Sequence, residues 1–157
     1  MSRSPIQCSV DLTVTGRNLG TLRVPHSVHR SAYGHIPLPI ASFVGQKPGP
    51  AVLLMAGNHG DRSFPGRALG APTEMIAYYI EHHLIAGMDM VIDLHSGGSS
   101  LYCVPFAMTS WVEGNDRNVM RQKVLDALGL PFVLRHGPEA DGWYSSSASW
   151  RAGAAGF

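Results

Sequence analysis

No apolar run in this 157-residue chain approaches the roughly 20 residues that a membrane-spanning helix needs. Residues Met1 to Val10 also lack the apolar stretch of a secretory signal, so the expected setting is soluble, reducing and cytoplasmic, with no membrane partner. Charge is sparse and balanced, with 12 Lys and Arg against 11 Asp and Glu and a formal net charge of +1 with His neutral. Without a basic cluster there are no phosphate contacts to release counterions, so no nucleic-acid partner is expected. Cysteine is scarce as well. Cys8 and Cys103 are too few for a disulfide framework or a thiolate metal site, and each suits an ordinary buried thiol.

What is present is enough for a fold. Hydrophobic residues make up 45% of the chain and charged residues 15%, a balance that supports a folded rather than a disordered chain. The length suits one domain around one core. With 18 Gly and 11 Pro, many turns and short elements are expected.

The periodicity divides the chain. Val10, Leu12 and Val14 alternate with polar residues and predict a half-buried strand, and residues 21–24 repeat the pattern. Residues 36–43 are apolar but carry Pro37 and Pro39, which predicts an edge strand or an extended connection. Residues 51–56 and 90–94 are continuous apolar runs, the pattern of strands covered on both faces. Between them a helix is expected from Thr73, with Ile76, Tyr79, Ile80 and Leu84 on one face and Gly87 as its stop. A second helix is expected over 116–128, capped by Asn115 or Asp116 and closed by Gly129, with a third core strand at 131–134. The alternation implies an α/β fold with some parallel strand pairs over residues 1–142, opening on extended strands. Residues 143–157 show neither period and are expected to form a loose, disordered tail.

Two polar loops carry the candidate chemistry. Each follows a predicted buried strand and each holds a histidine: His59 in Gly57-Asn58-His59-Gly60-Asp61, and His95 in Asp93-Leu94-His95-Ser96-Gly97-Gly98. Ligands of open α/β sheets bind beyond the carboxyl ends of the strands. Neutral imidazole is a common zinc ligand, and a catalytic zinc takes three protein ligands plus water. His59 and His95 supply two if their strands are neighbours; hydrogen-bonded loop histidines are the alternative. Asp61 is the nearest carboxylate, although adjacent residues rarely reach one ion together, and Glu74 suits a first helical turn better than a metal. Asp93 shares a strand face with His95 and either orients it or binds loop backbone. His82 and His83 suit a helix end, and His26, His29 and His35 have no metal-ligand spacing.

These motifs resemble the two zinc-site motifs of the succinylglutamate desuccinylase/aspartoacylase family. Residues 62–66, 72–74 and the helix to Leu84 are similar to the stretch preceding that family's Asp-Leu-His strand. Residues 24–40 resemble the opening of the branch that deacetylates N-acetyl-diaminobutyrate in ectoine breakdown. The resemblance implies a zinc-carboxypeptidase-like mixed sheet with flanking helices, one zinc ion per chain on His59 and His95, and a small N-acyl amino acid as substrate. It makes residues 1–142 a partial catalytic domain. The family continues its first motif as His-Gly-Asp-Glu, with the glutamate a zinc ligand, whereas position 62 here is Arg62. An internal deletion joining two motifs accounts for this and makes Arg62 the substrate-binding arginine; a surface arginine is the alternative. The family's general-base glutamate has no counterpart in the chain, so no catalytic residue is assigned. The implied activity is a zinc-dependent deacylase with weakened zinc binding and turnover. A catalytically inactive remnant and a non-catalytic binding module for small carboxylates are the alternatives. A missing strand would also leave an unpaired sheet edge that invites association.

Overall fold

The computed structural model describes residues 3–27, 34–57, 64–96 and 102–137. Its elements run β1 (Gln7–Cys8), β2 (Gly16–His26), β3 (Gly34–Val44), β4 (Val52–Ala56), α1 (Pro72–Tyr79) continued by a π-helical segment (Ile80–Ile85), β5 (Met90–Leu94), β6 (Phe106–Ser110), α2 (Arg117–Leu128) and β7 (Phe132–His136). The architecture is the expected incomplete α/β one, a set of mixed sheets with flanking helices. The predicted tail at 143–157 lies outside the described residues.

The N-terminal sheet is antiparallel in the order β1-β2-β3. Its ladder between β2 and β3 runs unbroken from Gly16↔Val44 to His26↔Gly34, through Pro37 and Pro39. Proline has no N–H, so the ladder survives only with both proline nitrogens turned to the outer edge. That edge is thereby stripped of two donors and blunted against further pairing. The predicted strand at 10–14 does not form. The Asp11 carboxylate accepts hydrogen bonds from the Thr13 backbone N–H at 2.8 Å and the Thr13 hydroxyl at 2.6 Å. This local turn overrides the alternation, and the same two bonds hold the Asp11 carboxyl below its ordinary pKa, that from the Thr13 side chain foremost.

One face of this sheet packs on α1. Ile6, Leu22, Val24 and Met75 form a buried cluster with Ile36, Leu38, Ile40 and Tyr79 around it. A second cluster, centred on Ile80 and Ile85, joins the π-helical segment to Leu53 and Met55 of β4 and Val91 of β5. The helix therefore lies between two sheets, as its apolar face at Ile76, Tyr79, Ile80 and Leu84 predicts.

β4 and β5 form a parallel pair, and β6 and β7 another. Among the described residues no ladder joins the two pairs, so the single sheet expected from the strand pattern is divided. The expectation of cover on both faces fails for β4, which alternates, with Leu53 and Met55 packed inward and Val52, Leu54 and Ala56 exposed, while β5 is partly buried from Met90 to Asp93. The third core strand is likewise mostly exposed in β7, and its partner β6 has no counterpart among the predicted elements. α2 forms as predicted. The Asn115 side-chain oxygen accepts from the Arg117 N–H at 2.9 Å, and Gly129, at φ 60°, returns its N–H to the Leu125 carbonyl.

Two glycines separate conformational strain from steric strain. Gly66 has φ +69°, and a Cβ there would lie 2.2 Å from the Glu74 carbonyl oxygen and 2.7 Å from the Tyr78 nitrogen. Gly87 has φ +87° with nothing within 4 Å of such a Cβ. We expect Gly87→Ala to cost about 1–2 kcal/mol, the left-handed penalty alone, and Gly66→Ala to cost about 3 kcal/mol or more, because backbone must move as well. Urea denaturation midpoints at unchanged slope measure both; equal losses would refute the distinction.

Candidate functional site

The parallel register Val52↔Met90 through Ala56↔Leu94 brings the carboxyl ends of β4 and β5 side by side. At the opposite end the Asp89 carboxylate accepts from the Ala51 N–H at 2.7 Å, and the Asp89 N–H donates to the Ala51 carbonyl at 2.8 Å, which pins that register. Beyond β4 the chain turns out through Gly57 at φ +76°, a conformation that suits a residue without a side chain. Beyond β5 comes His95. Neighbouring strands lie about 4.8 Å apart, so both histidine loops leave the sheet from one place. The neighbouring of the two strands, on which convergence depends, is met. His59, Asp61 and Arg62 themselves lie outside the described residues.

Asp93 and His95 act as a unit. Val91 and Asp93 share the strand face that turns toward the Ile80–Ile85 cluster. There the Asp93 side chain is 3% exposed, and its Oδ2 lies 3.1 Å from Nε2 of His95, whose own side chain is 55% exposed. A carboxylate beside Nε2 would favour the tautomer that carries its proton on that nitrogen, with Nδ1 left for another partner. A buried acid beside a half-exposed imidazole is an arrangement that metal-binding histidines commonly use. The 3.1 Å contact fits the orienting reading of Asp93. Among the described residues no three His, Cys, Asp or Glu side chains gather as a metal group.

Glu74 has a different role from ligation. Its Oε1 accepts from Arg67 Nε at 2.7 Å, and its Oε2 accepts from Arg67 Nη2 at 3.0 Å and from the Ala71 N–H at 2.8 Å. The last bond is half of a capping box, with Pro72 at the first helical position. The Arg67 N–H also donates to the Glu74 carbonyl at 3.2 Å. Gly66 and Gly70 both lie too close to Glu74 for a side chain. Residues 66–71 are thus wrapped around one carboxylate, and both of its oxygens are occupied.

His29 lies outside the described residues, and His26, His35, His82 and His83 have local surroundings. Tyr78 and His82 meet as tilted rings with centroids 4.2 Å apart, and Tyr79 and His83 likewise with centroids 4.8 Å apart. His26 and His35 sit at the turn end of the β2–β3 ladder, where His26 pairs with Gly34 and His35 with Pro25. Sequence reasoning did not find the cluster beside β7, where the Arg135 guanidinium lies 4.0 Å over the Trp111 ring and donates to Gln122 of α2. No spacing rule joins residues so far apart in the chain.

The Glu74 carboxyl is held below its ordinary pKa, first by the Arg67 hydrogen bond and then by the Ala71 N–H. A carboxyl depressed by folding adds stability above its unfolded pKa and loses it as pH falls through the folded one. We therefore expect Glu74→Gln to melt below the parent at neutral pH, with the gap closing in strong acid. Melting temperatures of both proteins across that range test this; a gap that is constant with pH would refute it.

Comparisons with known proteins follow the same lines. Residues 62–157 match the succinylglutamate desuccinylase/aspartoacylase catalytic domain. The N-alpha-acetyl-L-2,4-diaminobutyric acid deacetylase of Halomonas elongata is 28% identical over 181 aligned residues, covering 83% of this chain and 53% of the relative. The chain thus spans about half the length of this curated relative. A solved succinylglutamate desuccinylase from Silicibacter sp. TM1040 has a TM-score of 0.82 at 24% identity, over 98% of this chain and 61% of its own. The ectoine utilization protein EutE (DoeB) of Ruegeria pomeroyi, solved with product bound, has a TM-score of 0.81 at 26% identity, over 97% and 61%. Two details bear on the junction at Arg62. The domain match begins at residue 62 and runs to Phe157, past the last family likeness read from the sequence. In addition, 83% of 157 residues is about 130, so about 50 of the 181 aligned positions have no residue in this chain.

Proposed function

The chain belongs to the succinylglutamate desuccinylase/aspartoacylase family, and from that premise we propose that it carries the metal-site portion of a zinc-dependent deacylase of N-acyl amino acids, with impaired turnover. The observation that carries this reading is the parallel pairing of β4 and β5, which opens both histidine loops at one sheet end, with the Asp93–His95 pair at that end.

His59 and His95 would hold the ion, with Asp61 as the nearest additional carboxylate. A bound zinc supplies Lewis-acid polarisation of the amide carbonyl and acidifies a water. The chain's own residues do the rest. Asp93, 3.1 Å from Nε2 of His95, would orient that imidazole and favour Nδ1 as the ligating nitrogen. Arg62 would grip a substrate carboxylate through its two parallel N–H donors and set the amide against the metal. No glutamate stands at position 62, and no general base is identified, a loss that commonly costs about 10²–10⁴ in rate. The substrate class is a small N-acyl amino acid, by analogy with the diaminobutyric acid deacetylase relative.

A second reading, a catalytically inactive remnant that at most binds small carboxylates, is favoured by the roughly 50 aligned positions missing from the chain. The two readings separate on turnover. On the first, the zinc-loaded chain releases amine from N-acetyl-diaminobutyrate at least about 10²-fold more slowly than the full-length Halomonas relative. On the second, the acyl amino acid raises the melting temperature with no amine released.

For the metal itself, we expect about one zinc per chain after reloading, held weakly enough to be partly lost on dialysis, with more than tenfold weaker retention in His59→Ala and in His95→Ala. Elemental analysis measures this, and zinc retained unchanged by both variants would remove the proposed site. Asp93→Asn should keep the fold and weaken zinc about 10–100-fold, read by competition with a chelating dye. An unchanged affinity would reduce Asp93 to a structural acid.

A further inference from the structure

The face of β6 and β7 turned away from α2 is apolar. The bond from Arg135 to Gln122 puts α2 on the face shared by Ala107, Val133 and Arg135. The opposite face carries Phe106 beside Phe132 and Met108 beside Leu134, all between 46% and 60% exposed. Parallel strands are normally covered on both faces. Each strand here is five residues long. At about 3.3 Å per residue and about 4.8 Å between strands, the pair presents a strip roughly 10 Å wide and 17 Å long. One helix, about 10 Å across, matches that width.

The sequence that follows β7 supplies a fitting cover. Residues 138–157 lie outside the described residues, but the family match runs through Phe157, so they belong to the matched domain. Their Ser and Gly content disfavours a helix standing alone. Their large side chains are nonetheless ordered. Trp143, Trp150 and Phe157 recur every seven residues, and with Ser147 and Ala154 between them the spacing is 4-3-4-3, one stripe of a helix. Arg151, the one charged residue of 143–157, falls outside that stripe. A helix over 143–157 would be about 22 Å long, enough to run the length of β7. Residues 137–142 are rich in the turn formers Gly137, Pro138, Asp141 and Gly142. Extended, they span up to about 20 Å, enough to reverse the chain after His136. So short a tether holds the segment at an effective concentration of about a millimolar, above that of a free partner at micromolar levels.

We propose that residues 143–157 fold as a helix on the β6–β7 face opposite α2, running back along β7 with Trp143 over Leu134 and Trp150 over Phe132. The pair is then enclosed between two helices, as parallel strands require. A segment of weak intrinsic propensity takes its helical order from this docking, so it is a covering element of the domain and not the loose tail that its composition suggests. The inference is independent of the zinc and deacylase reading.

Amide hydrogen exchange of the unmodified full chain tests it. Residues 145–156 should exchange at least tenfold more slowly than an unstructured segment, and equally so when the protein is diluted tenfold. Phe132→Glu, which sets a charge beneath the segment, should remove that protection while the amides of α1 keep theirs. Trp150→Ser should do the same and raise carbene labelling of Met108 and Phe132; where Phe132→Glu also unfolds α1, this second variant decides. Rapid exchange over 145–156 in the unmodified chain, protection that appears only as concentration rises, or protection indifferent to both substitutions would each overturn the proposal.

Discussion

The pairing of β4 with β5 is the constraint on which the rest of the candidate site depends. Five residues of parallel ladder, clasped at the start by Asp89 and Ala51, decide that two loops about 35 residues apart in the chain open side by side. A strand inserted between them would move the loops apart by another interstrand spacing of about 4.8 Å. A slip of one residue would turn Asp93 away from the helix and into solvent. Burial of Asp93 and orientation of His95 are both consequences of this register.

The same helix that covers β4 and β5 also organises the approach to the site. Met75 packs on the N-terminal sheet while Ile80 and Ile85 pack on the parallel pair, so one element serves two cores. Its first turn is anchored by Glu74, whose carboxylate gathers Arg67 and the Ala71 N–H. The bond is solvent-exposed and contributes modestly, but it defines the path of the loop that continues from the Arg62 segment.

The molecule is also notable for how it handles open surfaces. Where the N-terminal sheet ends, two prolines remove the donors that would recruit another strand. Among the described residues the parallel pairs show no comparable device, and Leu54 of β4 and Phe132 of β7 stay exposed. In the same chain about 50 positions of the Halomonas relative have no residue.

Much of this was legible without coordinates, because it rests on local rules. The two prolines in 36–43 mark an edge, Asn115 and Gly129 bound α2, and the apolar runs mark β4 and β5, with a histidine placed just beyond each. The motifs around His59 and His95 likewise carried the family likeness. Three things were settled only in the folded state. Alternation at Val10, Leu12 and Val14 lost to the Asp11–Thr13 turn, since one side-chain acceptor can outweigh a weak period. Apolar runs at 51–56 and 90–94 cannot reveal that Val52 and Leu54 stay exposed, because burial belongs to the neighbours and not to the strand. The partners of Asp93 and Glu74 depended on where register and chain path brought a nitrogen within about 3 Å.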